Sequence, residues 1–244
     1  NGNLDNFTYT CDGSITVDDH TISCYDGEEH GTEDFETAFA ESCNSAFANL
    51  GMELGAKKLT SAAESLLFNK KLPISISYNS SKFDLGEHPG NPLLMQTSIG
   101  QGNTLVSPMH MALIVSAIAN DGVLMKPYLI DHVESAAGEE VKKFLPSSYG
   151  NFMTSAEADT LAMFMRSVVT DGTGSGVRTD AYSVAGKTGS AEFETGKETH
   201  AWFTGFAPAE DPKLVVTVLV EEAGSGGHVA APIARTIFDT YFSR

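Results

Sequence analysis

Two short groups of polar residues, about 140 residues apart, carry the side chains best suited to chemistry in this sequence. The first is Ser42-Cys43-Asn44, and the second is Lys187-Thr188-Gly189 followed by Ser190. A hydroxyl and an amide can relay a proton and orient a substrate, and a lysine can supply positive charge to a carboxylate. A glycine on a strand lets a ligand approach the backbone closely. Either group alone is common in exposed turns and strands, so only the two together indicate a functional site.

The elements around the two groups would hold them at a helix junction and on a sheet. Apolar residues at helical spacing predict one helix that begins near Thr32 and leads into Ser42, and a second over 45–54 that ends at Gly55. The second group lies on a predicted strand. Short turns separate it from two further apolar strands, so an antiparallel meander is predicted over residues 183–192, 201–207 and 213–221.

Further helices are predicted from periodicity and end signals. A helix over 109–120 follows Ser107 and Pro108, which suit its cap and first turn, and it is apolar nearly all round, as in a buried helix. The last predicted helix directs Ile233, Ile237 and Phe238 inward. This last helix is predicted over residues 231–242, and two further helices are predicted over residues 56–68 and 155–170.

The three cysteines are Cys11, Cys24 and Cys43. Cys11 and Cys24 flank a predicted hairpin of residues 14–17 and 20–23, which is compatible with a disulfide, with two free thiols or with a metal pair. A zinc site would need further ligands at close spacing. His20 and His30 are near in sequence, but they form no recognisable ligand pattern, and no metal site is assigned.

Length and composition restrict the function classes. The 244 residues, 41% of them hydrophobic, suffice for one large globular domain or for two small ones. A net charge of −17 and the lack of a basic patch argue against a nucleic-acid partner. No run of 18 or more apolar residues that would cross a bilayer occurs in the sequence.

In this order and in these contexts, the two groups resemble the S-x-N and K-T-G motifs of penicillin-recognising serine acyltransferases. By this similarity the chain is identified as a member of the class B penicillin-binding proteins, with residues 1–244 forming part of one transpeptidase domain. The resemblance extends to stretches between and after the motifs, namely Ser98-Ile-Gly-Gln-Gly102, Ser107-Pro108, Ala117-Ile-Ala-Asn-Asp-Gly122, Gly172-Thr-Gly174 and Ala201-Trp-Phe-Thr-Gly-Phe-Ala-Pro208.

The resemblance implies an α/β fold of the β-lactamase/transpeptidase type, with an antiparallel sheet flanked by helices on both sides. It also implies three catalytic residues. Ser42 would relay protons to the leaving amine, Asn44 would position the substrate amide, and Lys187 would supply positive charge near a substrate carboxylate.

Substrate binding would fall to the rest of the second motif. The resemblance implies that Thr188 hydrogen-bonds the carboxylate and that Gly189 leaves room for the acyl chain. The backbone N–H of Ser190 would form half of an oxyanion hole, and the nucleophile's own N–H would form the other half.

One family motif is not found: no serine within residues 1–244 is followed three positions later by lysine, and Ser80-Ser81-Lys82 has the wrong spacing. The resemblance expects S-x-x-K just upstream of Asn1. We therefore expect a part of a longer protein that lacks the N-terminal part of the fold and is inactive alone. A degenerate, non-catalytic relative is the alternative explanation.

The implied function of the longer protein is peptidoglycan D,D-transpeptidation through an acyl-serine, with D-Ala-D-Ala stem peptides and β-lactams as ligands and no cofactor. The family is membrane-anchored and extracytoplasmic. A rival is a non-catalytic module that senses or scaffolds cell-wall peptides, and a serine β-lactamase is less supported because no base for hydrolytic water is identified. A sheet that lacks strands would expose an edge, so association or marginal stability is expected.

Overall fold

The structure is a computed structural model that describes residues 4–243, so residues 1–3 and 244 of the assigned domain lie outside the described residues. The strands are β1 (Tyr9–Cys11), β2 (Ser14–Val17), β3 (His20–Ser23), β4 (Gly31–Glu33), β5 (Val123–Met125), β6 (His132–Glu134), β7 (Glu140–Lys143), β8 (Ser148–Asn151), β9 (Ala185–Ala191), β10 (His200–Ala207) and β11 (Leu214–Val220). The α-helices are α1 (Phe35–Ala40), α2 (Asn44–Ser65), α3 (Asn91–Ser98), α4 (Pro108–Ile118), α5 (Ser155–Thr170) and α6 (Ala231–Phe242).

The central sheet is an antiparallel meander in the order β11-β10-β9, which confirms the prediction for the last third of the chain. The register places Lys187 of β9 opposite Thr204 of β10. Within the described residues 4–243, neither β9 nor β11 pairs with a further strand. The strand that carries the K-T-G group is therefore an edge strand.

Helices cover both faces of this sheet, as the resemblance implied. On one face, Phe203 of β10 and Phe238 of α6 belong to the same cluster of fully buried residues. On the other face, Phe206 of β10 packs with Val115 of α4 and Met165 of α5. Burial of these large apolar side chains from both faces holds β10 between the helices, and β10 in turn pairs with the site-bearing strand β9.

The inward face of α6 differs from the prediction. Phe238 is fully buried, but Ile233 and Ile237 are each 42% exposed. The buried side of the helix carries Ala231 and Ala234 instead. Small side chains at these positions allow the helix backbone to approach the sheet closely. The alanines therefore form the contact between α6 and the sheet, and the isoleucines lie at the margin of this contact.

The predicted helix start near Thr32 is wrong. Thr32 lies in β4, where it pairs with Thr10 of β1. The helix begins at Phe35 because Asp34 caps it, accepting a hydrogen bond from the Thr37 N–H at 2.8 Å. The pairing of three residues of β4 with β1 thus holds Thr32 in a strand, although the local sequence pattern predicts a helix there.

Other predicted boundaries agree with the structure. The predicted helix break at Gly55 is present as a kink within α2, where Gly55 has a non-helical backbone conformation with a φ of 76°. Ser107 caps α4 by accepting the His110 N–H at 3.2 Å. The hairpin β2–β3 turns at Asp18 and Asp19, whose φ angles of 50° and 59° suit a tight two-residue turn. No helix within residues 4–243 has the length and apolar character needed to cross a membrane.

Candidate active site

The structure brings the two sequence groups into direct contact. The Lys187 ammonium donates a hydrogen bond to the Ser42 Oγ at 2.8 Å, across 145 residues of sequence. The same ammonium donates to the Thr188 carbonyl oxygen at 3.1 Å. The hydroxyl and the cation therefore share one surface between the turn after α1 and the edge strand β9.

Ser42 occupies a strained turn between α1 and α2. Its φ is 59°, in the left-handed region that costs a non-glycine residue about 1–2 kcal/mol. The Ser42 N–H donates to the Phe39 carbonyl at 3.3 Å, and the Cys43 N–H donates to the Ala38 carbonyl at 2.9 Å. These bonds close the end of α1 and direct the Ser42 hydroxyl toward β9.

The Lys187 side chain carries a charge that no described carboxylate neutralises. No ion pair within residues 4–243 includes it, and its ammonium lies 5.9 Å from the centre of the Phe39 ring. Burial lowers the pKa of the Lys187 ammonium to about 8. The group is thus mainly protonated at neutral pH and available to an anionic ligand.

Asn44 is the first residue of α2. Its side-chain Nδ2 donates to the Ser23 carbonyl oxygen, at the end of β3, at 2.9 Å. This bond fixes the amide beside Ser42 at the start of the helix. Asn44 and Lys187, both described, form no hydrogen bond with each other, so the link between the two groups runs through Ser42.

A further residue, Thr173, joins the same region from the turn after α5. Its hydroxyl lies 2.6 Å from that of Thr188, and its N–H donates to the Ala40 carbonyl at 3.2 Å. A Cβ on the preceding Gly172 would lie 2.1 Å from the Ala40 oxygen, so only glycine permits this approach. In the sequence, Gly172-Thr-Gly174 contributes only to the family resemblance, and no local signal marks Thr173 as a site residue.

The far end of the motif contacts the loop before α6, which ends in a π-helical turn over Gly226–Ala230. The Gly226 N–H donates to the Ser190 Oγ at 3.3 Å. A Cβ on Gly226 would lie 2.4 Å from the Gly189 carbonyl oxygen, whereas a Cβ on Gly189 itself would meet only the Trp202 Cβ, at 3.4 Å. The protein thus packs tightly against the Gly189 backbone from the Gly226 side and leaves space around the Gly189 α-carbon.

The chain is similar to a known family and to curated relatives. The model of the penicillin binding protein transpeptidase domain matches residues 1–239. The chain is 34% identical over 216 residues to the peptidoglycan D,D-transpeptidase PbpA of Mycolicibacterium smegmatis, a match that covers 84% of this chain and 43% of that protein. It therefore spans less than half the length of this relative.

Solved structures show the same fold. The D,D-transpeptidase domain of a peptidoglycan glycosyltransferase from Eggerthella lenta matches with a TM-score of 0.88 and 30% identity, covering 97% of this chain and 59% of that one. The ceftriaxone acyl-enzyme complex of penicillin-binding protein A from M. tuberculosis matches with a TM-score of 0.85 and 29% identity, covering 96% and 55%. The meander and its flanking helices are therefore a transpeptidase-type arrangement.

Proposed function

Because the chain belongs to the penicillin-binding protein transpeptidase family, class B, we propose that it supplies the S-x-N and K-T-G side of a peptidoglycan D,D-transpeptidase site. The observation that carries this proposal is the 2.8 Å hydrogen bond from Lys187 to Ser42. It joins the two motifs into one polar surface. The proposal takes residues 1–244 as part of a single transpeptidase domain in a longer protein.

In the proposed reaction, a serine from an S-x-x-K segment attacks the carbonyl of the D-Ala-D-Ala peptide bond. The bond to the terminal D-Ala nitrogen breaks, and this amine leaves with a proton relayed by Ser42. The acyl-serine ester then passes its acyl group to the amine of a neighbouring stem peptide, which restores the serine hydroxyl. A β-lactam would acylate the same serine, and the structure of the M. tuberculosis relative is a ceftriaxone acyl-enzyme complex.

The proposed substrate would lie along the outer edge of β9. An extended peptide can add to an exposed strand edge through main-chain hydrogen bonds. Its carboxylate would meet the unpaired charge of Lys187 and the hydroxyl of Thr188, and Asn44 would orient its amide. The open space at Gly189 would receive the acyl chain, and the Ser190 N–H would donate to the developing oxyanion.

We also propose the setting of the longer protein. A peptidoglycan substrate places its site outside the cytoplasm, and the family pattern adds a membrane anchor. Because the proposed substrate takes the outer edge of β9, it is the unpaired edge of β11 in the described residues 4–243 that supports association through a sheet edge, either with the remaining strands of the domain or with another copy.

A fluorescent penicillin tests the function. We expect no covalent label on the 244-residue chain alone, because it has no S-x-x-K serine. The full gene product, with an S-x-x-K segment ahead of Asn1, should give an acyl-protein that survives denaturing electrophoresis. Mass spectrometry would assign the label to the S-x-x-K serine. An unlabelled full-length protein, or a stable adduct on the chain alone, would contradict the proposal.

The second candidate is a non-catalytic module that holds cell-wall peptides. It is favoured by one observation, the lack of an S-x-x-K serine within residues 1–244. The same experiment separates the two functions. A module would bind penicillin or a D-Ala-D-Ala peptide reversibly, with saturation in calorimetry, and would leave no label on the full-length protein.

The substitution Gly189→Ala should separate binding from folding. The added Cβ meets only the Trp202 Cβ at 3.4 Å, an ordinary contact, so the free energy of unfolding should change by less than about 1 kcal/mol. The methyl group would occupy the proposed acyl-chain space, and overpacking of about 1–3 kcal/mol corresponds to acylation slower by about five- to 150-fold.

The matched control is Gly90→Ala, whose Cβ would meet only the Pro92 Cδ at 3.5 Å, away from the β9 edge. It should leave the acylation rate unchanged. Penicillin acylation of the full-length variants and urea unfolding of each chain are the measurements. Equal acylation rates for Gly189→Ala and the parent protein would show that no ligand group occupies this space.

A further inference from the structure

Four potential metal ligands converge beside the S-x-N turn and take no part in the proposed reaction. The side chains of Cys11, Cys24, His30 and Cys43 place their ligand atoms within 4.8 Å of one another. The three cysteines are buried, with exposures of 0%, 3% and 0%, and all three are unbonded thiols. Three separate segments of the chain, before β2, between β3 and β4, and before α2, supply this cluster.

All ligand atoms of the cluster lie within 4.8 Å of one another, and three of the six distances between them are close to the edges of a metal tetrahedron. The Sγ atoms of Cys11 and Cys24 are 3.6 Å apart, those of Cys24 and Cys43 are 3.9 Å apart, and the Cys11 Sγ lies 3.3 Å from the His30 Nδ1. Tetrahedral zinc, with bonds of about 2.3 Å to sulfur and 2.0–2.1 Å to nitrogen, gives edges of about 3.8 Å between sulfurs and about 3.6 Å between sulfur and nitrogen. A disulfide needs about 2.05 Å. The arrangement therefore suits an ion between the ligands better than a bond between two of them.

We propose that Cys11, Cys24, His30 and Cys43 bind one structural zinc ion. Three thiolates and one imidazole form a ligand set that zinc favours, and four protein ligands leave no open position for a substrate. The inference does not depend on the proposed transpeptidase function, since it rests only on the geometry of these four side chains.

The Ser45 hydroxyl and the start of α2 are suited to negatively charged sulfur. Three thiolates, a neutral imidazole and Zn²⁺ carry a net charge of about −1, which needs nearby donors. The buried Ser45 hydroxyl donates to the Cys11 Sγ at 3.1 Å, and it lies 3.6 Å from the Cys24 Sγ and 3.4 Å from the Cys43 Sγ. Cys43 is also the N-cap of α2, where the helix dipole favours negative charge.

The zinc ion would stabilise the S-x-N turn directly. Cys43 is the middle residue of this motif, between Ser42 and Asn44. Cys24 follows Ser23, whose carbonyl accepts the hydrogen bond from the Asn44 side chain. One ion would thus connect the turn with the strand end that orients Asn44, and it would hold Ser42 in its left-handed conformation.

Metal analysis of the purified 244-residue chain tests the site. We expect about one zinc per chain after zinc supplementation and dialysis, and at least a tenfold lower content in Cys24→Ser and in His30→Ala. The matched control is His20→Ala, which removes a histidine that contacts Gln96 instead of the cluster and should keep the zinc. Cobalt(II) in place of zinc should give the intense visible absorption of a tetrahedral thiolate complex.

The unsubstituted chain gives a second test, which holds even where a variant fails to fold. Chelation should lower the melting temperature by about 10 °C or more, and added zinc should restore it. Hydrogen exchange at residues 41–46 should increase on chelation. A chain with no bound zinc, a chelator without effect on melting, a Cys11–Cys24 disulfide in the purified protein, or zinc retained by both ligand variants would each overturn the proposal.

Discussion

Replacing Lys187 by methionine should lower the rate of penicillin acylation of the full-length protein by about a hundredfold or more. The substitution removes the cation that faces the proposed carboxylate and the donor that holds the Ser42 hydroxyl at 2.8 Å. Methionine has a similar length and no charge, so the packing around Phe39 should persist. The measurement is the second-order rate constant for acylation.

The stability of this variant should not fall. Burial lowers the pKa of the Lys187 ammonium from 10.5 to about 8, so folding disfavours the charged form. This destabilisation is fully present below pH 8 and is relieved as the pH rises from 8 toward 10.5. An apolar side chain at this position has no charge to bury, so it avoids this destabilisation at pH 7. The melting temperature of Lys187→Met should therefore equal or exceed that of the parent chain.

The same pKa predicts how acylation depends on pH. The rate for the parent protein should fall as the pH rises through about 8, because the ammonium loses its proton. The Lys187→Met profile should lack this decrease. As a control, Lys197→Met removes an exposed lysine that pairs with Glu222 at 3.5 Å, and it should change neither rate nor profile. Acylation by Lys187→Met at the parent rate would remove Lys187 from the proposed site.

The substitution Gly226→Ala should destabilise the chain by about 3 kcal/mol. Its Cβ would lie 2.3 Å from the Trp202 carbonyl oxygen and 2.4 Å from the Gly189 carbonyl oxygen. Both contacts are with backbone atoms of the central sheet, so relief requires movement of β9, β10 or the loop before α6. Urea unfolding measures the loss as a lower transition midpoint.

The control Gly90→Ala adds the same methyl group where the nearest atom is 3.5 Å away. Its free energy of unfolding should fall by no more than about 1 kcal/mol, the loss expected because Gly90 is the N-cap of α3. The displaced β9 should also slow acylation of the full-length Gly226→Ala protein at a temperature where it is still folded. A midpoint for Gly226→Ala equal to that of Gly90→Ala would show that the contact between the loop and the sheet is loose.

Local patterns determined much of this protein. Apolar strand-like stretches and short turns predicted the β9–β11 meander, and apolar periodicity with Ser107 and Gly55 as end signals predicted the main helices. These features depend on residues a few positions apart, where side-chain spacing reports directly on helix or strand. The two motifs were likewise readable as short strings, and their order was sufficient to indicate the family.

The tertiary structure decided what depends on distant residues. The pairing of Thr32 with Thr10 replaced a predicted helix start, and the alanine contact of α6 with the sheet left Ile233 and Ile237 partly exposed. The bond between Ser42 and Lys187 and the Thr173 bridge join segments that no local pattern connects.

The thiol cluster shows the same limit. Cys11, Cys24 and His30 were visible in the sequence without a recognisable metal pattern, because their spacings are long and the fourth ligand, Cys43, follows an intervening helix. Only folding brings the four side chains within 4.8 Å of one another. Such contacts arise when separate elements bury a common apolar core, and one chain segment does not encode its partner's position.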